Sequence, residues 1–223
     1  MGITSNAQES NRKTFEFPIK PNDGKWEKIT SIGQRLELLQ IPNNILTEIP
    51  TPELLDICLD FPYLIDILFS DNYQSGFECL KKEFNGYKEL LHRKDLLYSI
   101  ITKNKTLLEE VQTIQKQRSL DKGRFAFKWF VLGMIAAQDE LLRQMDFSYI
   151  RQEIKNLKIK RMYPDLFGDS NSVPTYLLFA KYLVYSKTDM DGEIKEKLEY
   201  YINEPSYLGV TLMNDIDNLI EKD

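Results

Sequence analysis

Apolar residues recur every three or four positions along most of this chain, which is the spacing of one face of an α-helix. Proline, glycine and asparagine interrupt this pattern often enough to divide it into roughly ten helices. Alternation typical of a strand occurs only in Phe15–Gly24, where Phe15, Phe17 and Ile19 alternate with polar residues. The segment also holds Pro18 and Pro21, which exclude a helix. The pattern therefore predicts an all-α, irregular multi-helix domain with an extended N-terminal strap.

One stretch, Arg124–Met145, is apolar on nearly every side when it is placed on a helix. A helix of this kind is buried in a protein core or in a membrane. Its unbroken apolar run, Trp129–Ala137, is too short to span a bilayer. We therefore predict a central buried helix that the other helices surround. Gly133 and Ala136 place small residues close together on it, which indicates that a neighbouring helix approaches closely.

Capping residues predict where several helices begin. Thr51 precedes Pro52 and Glu53, a combination that suits the first turn of a helix. Thr106 and Glu109 have the spacing of a capping box and predict a helix that starts at Leu107. Two further starts are predicted at Asp71–Asn72 and at Asp146 or Ser148.

Glycine and asparagine predict where helices end. Asn85–Gly86 is typical of a helix C-terminus, with the glycine in the left-handed conformation. Gly123 is predicted to separate the central helix from the helix before it. The first helix is predicted to run without a break from Trp26 to Leu39, because its apolar residues keep helical spacing throughout.

The length of 223 residues allows one large domain or two small ones. Residues 1–14 are polar and lack periodicity, which predicts a disordered tail. The strap is predicted at 15–25 and a single helical domain at 26–220, with a subdivision near 119–123 left open. We find no fixed period of self-similarity, so the sequence does not indicate a regular repeat solenoid.

The composition narrows the classes of function. A hydrophobic fraction of 42% is sufficient for a core, and the net charge of −5 argues against generic binding of nucleic acid. We predict no transmembrane segment. The polar N-terminus carries no export leader as written, so the chain is expected to be cytoplasmic unless a leader was removed.

The chain contains few of the residue types that most often act in catalysis or bind metals, with one histidine and two cysteines. His92 is the only histidine, and its charged neighbours predict a position on a helix surface rather than in a catalytic site. Cys58 and Cys79 sit among apolar residues and are predicted to be buried free thiols in a reducing compartment, whereas a bridge between them would require an oxidising one. They lack the paired spacing of a zinc site, and glycine-rich phosphate loops do not occur. We therefore predict neither a metal nor a cofactor.

The run from Pro18 to about Leu97, with the phrases PIKPNDGKWEKITSIGQRLELLQIPNNILTEIP and FNGYKELLHRKDL, resembles a family of uncharacterised helical proteins from gut bacteria. Many members of that family begin with an export or lipoprotein leader. The resemblance implies a location in the cell envelope or outside the cytoplasm. It implies no catalytic or binding residue for this chain.

One candidate binding site can be placed from the sequence. Met162–Pro174 is predicted to be a long loop with two aromatic residues, and it follows the basic face of a helix. Aromatic rings beside cations suit the docking of a partner protein or an anionic ligand. The alternative is that the rings fold back as a plug over the core. The candidate residues are Arg151, Lys155, Lys158, Arg161, Tyr163 and Phe167.

These observations favour a non-enzymatic binding or structural protein, associated with the bacterial envelope if the resemblance holds. The alternative is an enzyme that uses carboxylates in a helix-lined cleft. Pairs of acidic residues that could serve it are Asp56 with Asp60, Asp139 with Glu140, and Asp215 with Asp217. Contrasting environments would have to shift their pKa values apart. The oligomeric state stays open.

Overall fold

A computed structural model describes residues 15–186, 190–205 and 210–221. Of these residues, 77% are helical and none is in a strand, so the predicted all-α class is confirmed. No helix within these ranges is long and apolar enough to cross a membrane. The α-helices are α1 (Gly24–Lys28), α2 (Ile32–Leu39), α3 (Asn43–Leu46), α4 (Thr51–Leu59), α5 (Tyr73–Glu83), α6 (Asn85–His92), α7 (Leu96–Ile114), α8 (Ser119–Ala136), α9 (Asp139–Leu142), α10 (Phe147–Met162), α11 (Pro164–Phe167), α12 (Val173–Ser186), α13 (Gly192–Asn203) and α14 (Val210–Glu221), with 3-10 helices at Leu64–Phe69 and Asp169–Ser172.

Helix α8 packs against helices from both halves of the chain. It contacts α4 and α7 on the N-terminal side and α11 and α12 on the C-terminal side. Its side chains are buried around most of its circumference, because neighbours cover it in several directions. The buried residues are Phe125, Ala126, Trp129, Phe130, Val131, Leu132, Met134, Ile135 and Ala136.

The boundaries of α8 differ from the prediction. The helix starts at Ser119 and includes Gly123, where a Cβ atom would meet nothing within 4 Å. An exposed glycine inside a helix costs only about 1 kcal/mol, which the neighbouring contacts of α8 offset. The helix ends at Ala136 rather than continuing to Met145, because the buried Gln138 donates from Nε2 to the carbonyl oxygen of Met134 at 2.7 Å. The predicted central helix is therefore α8 followed by the separate short α9.

The predicted C-terminal stop at Asn85–Gly86 is wrong, because both residues belong to α6. The ring of Phe84 lies where a Cβ atom of residue 86 would be, so glycine is required for space and not for a left-handed backbone. The Asn85 side chain accepts from the Ile41 amide at 3.0 Å and donates to the Ile41 carbonyl oxygen at 2.7 Å. The Asn-Gly pair, which is typical of a helix C-terminus, thus lies at the start of α6, and Asn85 holds that helix by hydrogen bonds to the chain after α2.

Two predicted caps are also wrong. Pro50 is the N-cap of α4, and the Thr51 hydroxyl instead donates to Asp95 Oδ1 at 2.6 Å. Thr106 lies inside α7, where its hydroxyl donates to the carbonyl oxygen of Thr102. By contrast, Asn72 forms the predicted start of α5 with a full capping box. Asp146 caps α10, as one of the two predicted alternatives.

The N-terminal segment before α1 lies against the core through alternate side chains. Phe17 and Ile19 are buried, and the Phe17 ring lies 5.9 Å from that of Phe61 and 5.8 Å from that of Phe84. The predicted first helix is divided into α1 and α2, because the Ser31 side chain accepts from the Gln34 amide and starts a new helix.

The two cysteines differ in environment. Cys58 on α4 is fully buried, and burial raises the pKa of its thiol well above the ordinary value. Cys79 is exposed, contrary to the prediction, because Phe77 and Leu80 take the inward face of α5. Both thiols are free.

Gly133 lies at a close approach between α8 and α12, as predicted from its small neighbours. A Cβ atom at this position would lie 2.8 Å from Pro174 Cβ in the first turn of α12. We expect Gly133→Leu to lower the free energy of unfolding by about 1–3 kcal/mol, because the side chain would force the two helices apart. Thermal or chemical denaturation measures this loss.

Gly123→Leu is the matched control, since it places the same side chain on the same helix in open space. It should leave the stability unchanged or raise it by about 1 kcal/mol through helix propensity. Equal effects at the two positions would contradict the close approach.

Candidate functional site

The predicted loop Met162–Pro174 is almost wholly helical in the structure. It contains α11 and the 3-10 helix Asp169–Ser172, joined at Gly168, whose φ of 60° suits glycine. The prediction of a loop is therefore wrong. Turns of only four residues carry too little periodicity to be read as helices from the sequence.

The two rings of this segment face the core to different degrees. Phe167 is buried, and its ring centroid lies 5.1 Å from that of Trp129 and 6.3 Å from that of Phe125. Tyr163 is half-buried and packs against the same core. Phe167 thus behaves as the predicted plug, whereas Tyr163 keeps part of its ring accessible.

The predicted cations of α10 lie apart from these rings. Arg151 stacks over the ring of Phe147 at 4.7 Å. Arg161 donates to Asp217 Oδ2 at 2.9 Å and to the hydroxyl of Tyr176, and so joins α10 to α12 and α14. Lys155 is exposed, and Lys158 lines a space of about 20 Å³ beside Arg161.

Within the described chain, no cation–ring contact joins any of these four residues to Tyr163 or Phe167. The structure therefore distributes the six candidate residues over several contacts instead of one cluster. Their role in binding stays a prediction.

A buried polar cluster, which was not predicted from the sequence, lies on the inner side of α10. Asn104 and Asn156 both donate to Glu153 Oε1, at 2.8 and 3.0 Å. Burial raises the pKa of Glu153 above its ordinary value, while the charge of Lys160 and the hydrogen bonds act in the opposite direction. Tyr149 lies beside this carboxyl, but its hydroxyl makes no hydrogen bond of ordinary geometry with any described residue.

Lys160 continues this cluster toward α8. Its ammonium group lies 5.1 Å from the centroid of the Trp129 ring and donates to the carbonyl oxygen of Asn171 at 3.4 Å. Burial lowers the pKa of Lys160 to about 8, although Glu153 opposes the shift. Glu153 does not line the groove described next, so we regard the cluster as part of the core that holds α7, α8 and α10 together.

An open groove of about 770 Å³ lies between α4 and α8. The strap closes one side of it with Phe15–Pro21, and the chain after α4 closes another with Phe61–Ile65. Aromatic and aliphatic side chains predominate in its lining, which gives it an apolar floor. These side chains are Phe15, Phe17, Ile57, Leu59, Phe61, Leu64, Ile65 and Phe127.

The two helical walls of the groove carry opposite charge. Helix α4 contributes the acidic residues Glu53 and Asp56, and Asp60 follows as the residue at its C-cap. Helix α8 contributes the basic residues Arg124 and Lys128. The groove is therefore polarised across its width.

Ion pairs fix part of this pattern. Lys128 Nζ lies 2.6 Å from Asp60 Oδ1 and bridges the two walls, and Lys103 Nζ lies 2.5 Å from Asp56 Oδ1. Glu53 and Arg124 form no ion pair with any described residue. Each wall thus keeps one charge that is not neutralised within the described chain.

Two carboxylates of the groove are held in ion pairs, because Asp56 and Asp60 each lie against a lysine. Among the described residues, no three side chains of the metal-ligating kinds converge. His92 is exposed, as predicted, and does not line this groove.

The groove and the buried cluster differ in how much of each the sequence could reveal. The groove is formed by three segments that are distant in sequence, so no pattern within a few consecutive residues predicts it. The cluster leaves a local signal, because Tyr149, Glu153, Asn156 and Lys160 recur at helical spacing and form a polar stripe.

No known protein family matches this chain, and neither a curated protein nor a solved structure is significantly similar to it. The resemblance of residues 18–97 to helical proteins of gut bacteria, and the envelope location that it implies, therefore stay predictions.

Proposed function

We propose that the protein is a non-enzymatic binding protein that takes up an amphipathic helix of a partner protein in the groove between α4 and α8. The observation that carries this proposal is the apolar floor between one acidic and one basic helical wall. Amphipathic helices are recognised by grooves of this kind, because their apolar face is buried and their polar flanks remain at the rim.

The apolar surface around the groove favours a protein over a small molecule. Ile65 lines the groove and is 46% exposed, and Leu68 and Phe69 continue the same 3-10 helix at 42% and 82%. Leu120 is exposed one turn before Arg124 on the same face of α8. These exposed apolar side chains follow or precede the lining residues along the same helices, and exposed apolar patches mark protein interaction sites.

The charges predict how the partner helix is oriented. A helix in the groove would place basic residues against Glu53 on α4 and acidic residues against Arg124 on α8. The reverse orientation would bring like charges together on both flanks. Complementary charges of this type set specificity more than affinity.

Selection from a displayed library of amphipathic helices tests the proposal. We expect the selected helices to carry basic residues on one flank and acidic residues on the other. Ile65→Asp should weaken their binding at least about tenfold, because it places a charge at the edge of the apolar floor. Leu38→Asp is the matched control, since Leu38 on α2 is also 46% exposed and does not line the groove.

The double variant Glu53→Lys with Arg124→Glu distinguishes docking in the groove from nonspecific binding of apolar helices. It should select helices with the reversed charge pattern. Equal weakening by Ile65→Asp and Leu38→Asp would overturn the groove as the binding site. A dimer of the protein in sedimentation experiments that Ile65→Asp dissolves would assign the groove to a second copy of this chain instead.

A further inference from the structure

A second, polar cleft of about 450 Å³ lies where α5, α6, α9 and α12 meet. It is separate from the groove and shares none of its lining residues. Its floor includes Gln74 and the buried Gln138, whose side-chain amides contact each other at 3.3 Å. Leu91 of α6 is the single apolar residue among those that line it. The cleft is therefore suited to a small polar ligand.

The two lysines of this cleft lie deeper than its carboxylates. The side chains of Lys181 and Lys81 are 9% and 19% exposed. Their partners at the mouth are more open, with Glu140 at 40% and Asp139 at 79%. These lysines are held in ion pairs by the carboxylates, and the other two basic side chains that line the cleft, those of Arg143 and His92, are exposed.

Two further side chains in the cleft have capacity left for a ligand. Arg143 lines it and forms no ion pair or hydrogen bond with any described residue. His92 Nδ1 lies 2.5 Å from the Lys88 carbonyl oxygen, which can only accept, so Nδ1 carries a proton. The Nε2 atom of His92 is then the remaining polar atom of the ring.

We propose that this cleft binds a small molecule through a carboxylate group, held by the guanidinium of Arg143 with His92 and Lys81 beside it. A guanidinium donates hydrogen bonds to both oxygens of a carboxylate at once, which gives direction as well as affinity. The three carboxylates that line the mouth, Glu78, Asp139 and Glu140, repel a dianion more than a monoanion. They therefore favour a carboxylate over a phosphate.

The single histidine supplies a direct readout, because its Cε1–H signal in the NMR spectrum needs no assignment. Titration with sodium acetate should shift this signal until the cleft is saturated. Sodium chloride at the same ionic strength should not. In Arg143→Gln the apparent affinity for acetate should fall at least about tenfold, and Arg143→Lys should lose less because it keeps the charge.

Arg118→Gln is the control for the loss of an arginine, since Arg118 is 84% exposed and pairs with Asp121 outside the cleft. It should leave the titration unchanged. An acetate response that survives in Arg143→Gln, or that chloride reproduces, would overturn the site. Saturation by inorganic phosphate at a lower concentration than acetate would overturn the assignment of the ligand as a carboxylate. A circular dichroism melt confirms that each variant is folded.

Discussion

Trp129→Ala is expected to lower the free energy of unfolding by about 3–5 kcal/mol. The side chain is 1% exposed and is the largest one fully buried in the described core. Its ring contacts Phe125 on α8 and Phe167 on α11, and the ammonium of Lys160 lies above it. Removal of the indole would leave a cavity that three elements surround and that none can fill without moving.

The second tryptophan provides the control for this measurement. Trp26 on α1 is half-buried and packs on Tyr63 and Arg35 near the surface. Trp26→Ala should therefore cost clearly less in a urea denaturation experiment, since water replaces part of what is removed. Equal losses for the two variants would contradict the position of Trp129 at the centre of the core.

The fold class could be predicted because helical periodicity is a local signal. The apolar stripe of α5 and the capping box at Asn72 are visible in a few consecutive residues. The boundaries that were wrong depend on residues distant in sequence. Gly86 is explained by the Phe84 ring and Thr51 by Asp95, so tertiary contacts override their local preferences.

The groove could not be predicted, because its walls come from segments about 60 residues apart that only the folded chain brings together. Its acidic face was visible as Glu53, Asp56 and Asp60 on one side of a helix. An exposed acidic face is, however, common on the surface of helices. It indicates a binding groove only because the basic residue Arg124 on α8 lies across from it in the folded chain. The sequence thus indicated the acidic wall of the groove but not the basic wall that faces it.

The inner face of α10 shows a different limitation. The predicted site includes the basic residues Arg151, Lys155 and Lys158, which lie on the outside of this helix. The polar stripe that includes Glu153 and Lys160 is buried instead. Charged side chains are seldom buried unless they are paired, and the partner Asn104 comes from α7, so local spacing could not predict that this stripe is buried.

Lys160 should give the protein an unusual dependence of stability on pH. Burial lowers its pKa from the ordinary 10.5 to about 8 in the folded chain. Between these two values the unfolded chain binds more protons than the folded chain, so the free energy of unfolding rises as the pH rises. The full shift corresponds to about 3 kcal/mol, since each pKa unit is worth about 1.4 kcal/mol.

Other buried groups set the limits of this window. Burial raises the pKa of the Cys58 thiol well above the ordinary 9.0, so above about pH 9 the unfolded chain loses a proton that the folded chain keeps. The raised pKa values of Tyr87 and Tyr149 act in the same direction above about pH 10. Stability should fall there. The raised pKa of Glu153 acts on the acid side, where its contribution is lost as the pH rises above 4.5. The rise due to Lys160 is therefore expected between about pH 8 and 9, above which the ionisation of Cys58 in the unfolded chain offsets it.

Lys160→Met should remove this rise, because the thioether fills the site beside Trp129 without a proton to lose. Urea denaturation at intervals from pH 7 to 10 measures the effect. Lys155→Met is the control, as Lys155 lies five residues earlier on the same helix and is exposed. It should keep the rise of the unchanged protein. A rise that persists in Lys160→Met would show that Lys160 is not the group responsible. A fall in stability from about pH 8 to 9 in the unchanged protein would contradict the lowered pKa of Lys160.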